Sequence, residues 1–327
     1  MVGITTTIPV EVIYASGEIP CDLNNIFITA EHPIDYSEYA VMQGYPRNIC
    51  QWIKGIYGVV SKREDIQTVI AVTQGDCSNT HALMETLELK GQTVIPFAYP
   101  YDRSPGGLRF AIHQLAQTFQ VDWKEIEKTR DYLNSIRKLA WRIDELTWRE
   151  NKVTGFENHL FLVSTSDFES DPEAFKNKLS EFIKKAEKRE SKKDELRLAY
   201  IGVPPIFPQI YDYLESMDAR VVYNETQYEF SLPDMGNDIV EQYLNYSYPY
   251  SVFYRLKKIK KELERRRIDG VINYVQSFCF RQIEEIIIRE KLGEYPVLTV
   301  EGGENIYLDE RTKLRIQAFV EMLIRRK

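Results

Sequence analysis

Strand-like and helix-like segments alternate at both ends of this chain, and helix-like segments fill its middle. That alternation predicts an α/β protein. The strand segments are short and apolar throughout, as expected of parallel strands covered on both faces. The length of 327 residues exceeds one ordinary single-core domain and suits two. The expected plan is an α/β domain over residues 1–105, a helical connecting section over 106–192 and a second α/β domain over 193–327.

In the first region, VEVIYAS before Gly17 reads as a strand, and DYSEYAVMQG reads as a short helix with Asp35 as N-cap and Gly44 past its end. PRNICQWIKGIYGVVSK opens with Pro46, a good first-turn residue, and its apolar positions Ile49, Trp52, Ile53, Ile56 and Val60 share one helical face. TVIAVT, a helix over 78–90 and TVIPFAY complete a βαβ series. In the middle, LRFAIHQLAQTF, the run from Trp123 to Glu150 and DPEAFKNKLSEFIKKAEKRESKK have helical periodicity, while NHLFLVSTSD reads as an extended link. The charged stretch 184–195 reads as a solvated helix end and a domain boundary. Alternation then returns. LRLAYIGVPP, ARVVYNE, IDGVINYVQ and YPVLTVEGG read as strands. PQIYDYLESMD, YSVFYRLKKIKKELERRR, CFRQIEEIIIREKLG and the C-terminal ERTKLRIQAFVEMLIRR read as helices.

Composition is that of a globular protein, with 43% apolar and 28% charged residues. The net charge of −7 and the pI near 5.4 argue against a nucleic-acid partner, which calls for a basic footprint. No apolar run approaches the roughly 18 residues of a membrane helix, so no membrane association is expected. The start of the chain lacks a basic n-region, so the expected location is cytoplasmic.

The four cysteines, Cys21, Cys50, Cys77 and Cys279, are too sparse for a disulfide scaffold. They form no CxxC pair and stand too far apart for a local zinc motif. Their placement is more informative. Cys77 and Cys279 each fall where a strand ends and a helix begins, and Cys50 falls in the first turn of the helix opened by Pro46. In open α/β sheets, ligands bind at the carboxyl ends of strands. Helix N-termini there offer free N–H groups and partial positive charge, which favour thiolate. Thiolates hold iron–sulfur clusters. A cleft between two domains would gather three thiols and leave one metal position open. The competing reading is three small buried hydrophobes.

The words around these cysteines carry a resemblance. PRNICQWIKGIYG, DCSNTHALMETL and DGVINYVQSFCFRQIEE resemble, in order, the three cysteine segments of the 2-hydroxyacyl-CoA dehydratase / benzoyl-CoA reductase family. EVIYASGEIPCDLNNIF, YIGVPPIFPQIYDYLESMDARVVYNE and EYPVLTVEGGENIYLDERTKLRIQAFVEML resemble its N-terminal strand, the start of its second domain and its C-terminal end. The chain thus looks like an iron–sulfur protein of the 2-hydroxyglutaryl-CoA dehydratase D-component type. The resemblance implies two Rossmann-like domains, with an iron–sulfur cluster on Cys50, Cys77 and Cys279 in the cleft. A 4Fe-4S cluster is expected, with a double cubane as the alternative. Cys21 is either buried filler or a fourth ligand.

The resemblance further implies a homodimer or a related second subunit, and an ATP-hydrolysing iron–sulfur activator that supplies low-potential electrons. It implies radical dehydration of an acyl-CoA, or a reduction, at an open iron. Two departures bear on the substrate: the chain is lean, and VEGGEN carries Gly302 and Gly303 where the family often has an acidic residue. The alternatives are a double-cubane reductase of small molecules, a non-catalytic electron-transfer or cluster-carrier protein, and a cluster-free scaffold.

Other residues suit ordinary structural roles as well as functional ones. Glu18 and Asp22 flank a strand-end turn near Cys21, and the commoner role there is surface exposure. Arg47 precedes Cys50 by three residues, suited to an anionic ligand or to the surface. His81 lies one turn into the Cys77 helix; His32, His113 and His159 have no partners at useful spacing. Tyr274 and Gln276 precede Cys279, and ordinary sheet packing is the reading favoured for them. The basic run 255–267 reads as a solvated face with an apolar stripe at Leu256, Ile259 and Leu263. SPGG at 104–107 reads as a loop and matches no nucleotide motif, so any ATP belongs to the partner.

Overall fold

The computed structural model describes residues 1–192 and 196–327. The first part comprises β1 (Val2–Ile4), α1 (Val10–Ala15), β2 (Pro20–Asp22), α2 (Leu23–Thr29), α3 (Ile34–Met42), α4 (Gln51–Lys62), β3 (Thr68–Gln74), α5 (Thr80–Leu89) and β4 (Thr93–Ala98). Its sheet is parallel, in the order β2-β1-β3-β4. Four helices follow: α6 (Pro105–Thr118), α7 (Trp123–Trp148), α8 (Gly155–Val163) and α9 (Pro172–Ala186), with two 3₁₀ turns at Ser164–Ser166 and Phe168–Ser170 between the last two.

The last part comprises β5 (Leu196–Gly202), α10 (Gln209–Glu215), β6 (Ala219–Asn224), α11 (Glu225–Phe230), α12 (Ile239–Asn245), α13 (Val252–Arg265), β7 (Gly270–Gln276), α14 (Arg281–Lys291), β8 (Val297–Gly302) and α15 (Glu310–Arg326). Its sheet is parallel too, in the order β6-β5-β7-β8. The protein therefore has two Rossmann-like sheets flanked by helices. Both repeat one topology: the second strand of each sheet turns to one side of the first, and the third and fourth to the other. Each sheet thus has a switch point, between β1 and β3 and between β5 and β7, and a crevice opens beyond the strands' carboxyl ends there.

Three cores hold this arrangement. One packs Ile4, Ile70 and Val72 of the first sheet against α1, α6, α7 and α9 and reaches Phe230 and Tyr243 near the second sheet. A second runs continuously between the halves: Phe27, Ile56 and Leu83 of the first join Tyr200, Ile210 and Phe319 of the last. The third fills the far face of the second sheet with Leu256, Ile259, Leu263 and Ile288. The apolar stripe of α13 is thus buried.

The structure corrects several local expectations. VEVIYAS is helix α1 and not a strand, and the strands lie on either side of it as three-residue segments too short to show a period. Glu11 explains the choice. It is fully buried, its carboxylate accepts hydrogen bonds from Arg137 at 2.8 Å and from Tyr243 at 2.8 Å, and it ties α1 to α7 and α12. NHLFLVSTSD falls in α8 and the 3₁₀ turns rather than in an extended link. Thr154 caps α8 in a reciprocal capping box with Glu157. SPGG starts α6, with Pro105 in its first turn. Pro33 and not Asp35 is the N-cap of α3. The basic run is not simply a solvated face, because Arg255 pairs with Glu225 at 2.8 Å and Arg266 with Asp144 at 2.7 Å in the interior. The expected boundary at 184–195 ends outside the described residues.

Candidate functional site

A cavity of about 550 Å³ opens where the carboxyl ends of the two sheets meet. Each sheet contributes the loops at its switch point: Thr5 and Thr6 after β1, Asp76 and Cys77 after β3, Val203 and Pro204 after β5, and Gln276 and Cys279 at the end of β7. Cys50 joins them from the start of α4, and Phe156, His159, Leu160 and Val163 of α8 form a further wall. Of the connecting helices, α8 thus lines the cavity.

Cys50, Cys77 and Cys279 all line this one cavity, and each sits at the start of a helical segment. Cys50 is the N-cap of α4 and not part of its first turn, because the helix starts at Gln51 rather than at Pro46. Cys77 accepts the amide of Thr80 on its carbonyl at 3.0 Å, and Cys279 that of Gln282 at 3.0 Å, the turns that lead into α5 and α14. The two halves share a spacing: Gln74-Gly75-Asp76-Cys77 and Gln276-Ser277-Phe278-Cys279 each leave a strand on Gln and reach Cys three residues on. Both turns pass through a left-handed residue, Gly75 at φ +102° and Phe278 at φ +59°. A Cβ on Gly75 would also come within 2.7 Å of Pro249, so glycine suits that turn on two counts.

Burial dominates the thiols. It pushes Cys50 up to about 12 and raises Cys77 and Cys279 as well. The amides of Ile53 and Trp52 oppose this at Cys50, that of Asn79 at Cys77, and the Arg281 guanidinium and amide at Cys279. The sequence-based expectation that helix N-termini would favour free thiolate is therefore reversed. A bound metal would restore it, because a coordinating thiol is deprotonated outright. Among the described residues, no three His, Cys, Asp or Glu side chains converge as ligands of a single metal ion. The donor set nevertheless fits an iron–sulfur cluster, which takes its thiolates on different irons and so spreads them apart. Backbone amides aimed at each sulfur, and the buried Arg281 cation beside Cys279, match the needs of an anionic sulfur-rich group.

The remaining candidates separate clearly. Cys21 is buried in β2 and is not part of the cavity wall; burial pushes its thiol up to about 12. Gln276 is on the wall: its amide donates to the Tyr274 hydroxyl at 2.6 Å and its side-chain oxygen has no partner. Tyr274 packs behind it. Arg47 is at the surface, paired with Glu38 at 3.4 Å, and Glu18, His32, His81 and His113 are exposed. Gly302 has a steric cause. A Cβ there would sit 2.4 Å from the Gln276 amide nitrogen, so any larger residue would displace the Gln276–Tyr274 pair.

Four wall residues escaped the sequence reading or were dismissed by it. His159 is buried, with Nδ1 2.7 Å from Gln227, and burial pulls it down to about 4, so it is neutral at pH 7. Asp76 is pushed up to about 6 by burial, against the pull of Arg281. Arg281 lies over the Tyr248 ring at 4.2 Å and pairs with Glu284 at 3.2 Å. Asp167 lies in the 3₁₀ region, facing Asp22, which does line the cavity. The sequence signal able to find α8, and so His159, is the Thr154-x-x-Glu157 capping pattern, which the extended-link reading passed over.

A search among curated proteins gave no match. The family model described as 2-hydroxyglutaryl-CoA dehydratase, D-component, matches residues 5–323, a span that takes in the second sheet, all of the first but β1, the connecting helices and all three cavity cysteines. With that coverage, the chain belongs to the 2-hydroxyglutaryl-CoA dehydratase D-component family.

Proposed function

We propose that Cys50, Cys77 and Cys279 hold an iron–sulfur cluster with one open iron, and that the chain performs radical dehydration or reduction on a molecule bound in the cavity. One observation carries the reading: three thiols from three separate corners of the fold line a single cavity at both switch points. The cluster, when bound, supplies one-electron chemistry and a Lewis-acidic iron. The protein's own residues do the rest. Amides at the three corners and the Arg281 guanidinium stabilise the anionic sulfur. Phe156, Leu160, Val163 and Pro204 give the bound molecule an apolar surface. Neutral His159 and the free oxygen of Gln276 offer polar contacts for orientation. The low-potential electrons come from a separate ATP-hydrolysing activator, and a second subunit, identical or related, completes the assembly. A cavity of this size favours catalysis over a cluster-carrier role.

The test is iron and acid-labile sulfide on protein purified without air. About four of each per chain is the expected result for one cubane, and about eight irons would redirect the reading to a double-cubane reductase. Replacement of Cys50, Cys77 or Cys279 by Ser should strip most of the iron, and Cys21→Ser should retain it. Equal loss with Cys21→Ser would overturn the three-ligand assignment. Absence of iron after reconstitution would overturn the function.

A further inference from the structure

A chain of buried groups fixes the His159 ring on the cavity wall. The residue lines the cavity and is 7% exposed. Its ring lies 6.1 Å from that of Phe156, tilted by only 15°, and 5.5 Å from that of Tyr211 on α10. The Tyr211 hydroxyl donates to Asn224 Oδ1 at 2.7 Å. Asn224 Nδ2 donates to Asn158 Oδ1 at 2.7 Å and to the Gly155 carbonyl at 3.0 Å, and Asn158 Nδ2 donates to Asp144 Oδ1 at 3.1 Å. These bonds seat the first turns of α8 on the end of β6. Gly155 permits the approach, since a Cβ there would come within 2.7 Å of the Val221 carbonyl oxygen. The two ring nitrogens of His159 have different surroundings. Nδ1 is 2.7 Å from Nε2 of Gln227, a fully buried side chain on α11. An amide nitrogen only donates, so Nδ1 accepts and the neutral ring carries its proton on Nε2. Nε2 makes no hydrogen bond among the described residues, and it is the polar atom the ring has left for the cavity. The wall contributed by α8 around it is apolar, with Phe156, Leu160 and Val163. Burial keeps the ring neutral by pulling it down to about 4. A neutral N–H donor in an apolar wall matches a neutral acceptor. A carbonyl oxygen is such an acceptor, and it gains most from the donor when an electron arrives and negative charge collects on it.

We infer that His159 recognises a carbonyl oxygen of the molecule bound in the cavity: its Nε2–H donates to that oxygen and stabilises the charge that collects there on reduction. The inference rests on the proposed reductive chemistry for the arrival of the electron, while recognition of the carbonyl stands on the geometry of the ring. Gln227 acts through His159 as a positioning residue, because its amide keeps Nδ1 as the acceptor. No covalent bond forms or breaks at the ring. The electron from the low-potential donor protein enters the carbonyl, and the proton stays on Nε2 throughout. A ring held in one tautomer between two aromatic neighbours needs no reorganisation when the charge appears, which is the condition under which such a donor is most effective.

The first readout is NMR of the full chain labelled with ¹⁵N in its four histidines. The His159 signals are those missing from His159→Gln, and at pH 7 they should show a neutral ring with the proton on Nε2. In Gln227→Met the Nδ1 signal should move to that of a ring nitrogen without a hydrogen bond, and an unmoved signal would remove Gln227 from the assignment. A proton on Nδ1 in the wild type, alone or together with one on Nε2, would overturn the inference. The second readout compares two probes in equilibrium dialysis: the thioester butanoyl-CoA and the thioether S-butyl-CoA, which lacks the carbonyl. The wild type should bind the thioester roughly 2–10-fold more tightly, the worth of one hydrogen bond. His159→Phe should bind the two equally, and His159→Gln, which keeps a side-chain N–H, should restore the preference. Equal preference in wild type and His159→Phe, or no binding of butanoyl-CoA to the wild type, would overturn the inference. Iron is measured on the same samples. A wild type that lacks iron yet prefers the thioester would sink the cluster reading and leave His159 standing, and a normal iron content without the preference would sink His159 alone. Circular dichroism confirms that each variant is folded.

Discussion

Asp167 connects burial to a measurable pH response. Its carboxyl keeps a proton up to about pH 7 in the fold, whereas its ordinary value is 3.8. Between those values the folded chain binds more protons than the unfolded one. Its contribution to stability is therefore complete below about pH 4 and is lost as pH rises through 7. Asp76 acts in the same direction, and His159, pulled down to about 4, acts in the opposite one between 4 and 6.5. The comparison that isolates Asp167 is urea unfolding of wild type and Asp167→Asn from pH 4 to 8. The wild type should lose stability relative to the variant as pH rises, and a difference that stays flat would contradict a raised Asp167 carboxyl. None of this was visible in the sequence. Asp22 stood out only because it borders a strand-end turn, and Asp167, 145 positions away, becomes its neighbour solely through the 3₁₀ turns that follow α8. The cysteines were legible for the opposite reason: each marks a local change from strand or loop to helix that its own neighbours announce.

Helix α4 shows how an element delivers a residue to the site. It carries Cys50 at its head and packs between α2 and α3, and two glycines permit the approach. A Cβ on Gly55 would meet the Phe27 ring at 2.4 Å, and one on Gly58 would meet the Tyr36 carbonyl oxygen at 2.2 Å. Intrinsic preference alone would make Gly55→Ala stabilising, by roughly 0.5–1 kcal/mol in mid-helix. The clash should reverse the sign, and the expected result is a loss of about 1–3 kcal/mol in denaturant unfolding. Stabilisation instead would mean that Phe27 moves aside freely. The long helices were legible because their apolar faces repeat over many turns, as α7 does from Ile126 to Leu146. Four short elements were not. β1, β2, α11 and α12 carry no sustained apolar pattern, and VEVIYAS has the β-branched composition of a strand while its tertiary setting makes it a helix.

At the scale of the molecule, the sequence foretold two sheets and a helical section but not how strongly they share interiors. The core that runs from Phe27 and Leu83 to Tyr200 and Phe319 belongs to both halves, and the connecting helices bury residues from the far end of the chain as well. Scanning calorimetry should therefore record one cooperative transition, with calorimetric and van't Hoff enthalpies in agreement. Two resolved transitions would show that the halves stand alone. That shared interior had no sequence signature, because each apolar segment fits its own sheet equally well and nothing in its period names a distant partner.

The repeated strand order has one further consequence, a matter of parity. Matching the halves element by element pairs Cys77 with Cys279, and pairs Cys50, at the head of α4, with Ser251, at the head of α13. Ser251 uses its oxygen on its own helix, accepting the Phe253 amide at 3.3 Å. A doubled topology provides an even number of equivalent seats, yet only three carry sulfur. The two halves are alike in architecture and unlike in what they bring to their meeting place, and that inequality gives the centre a direction.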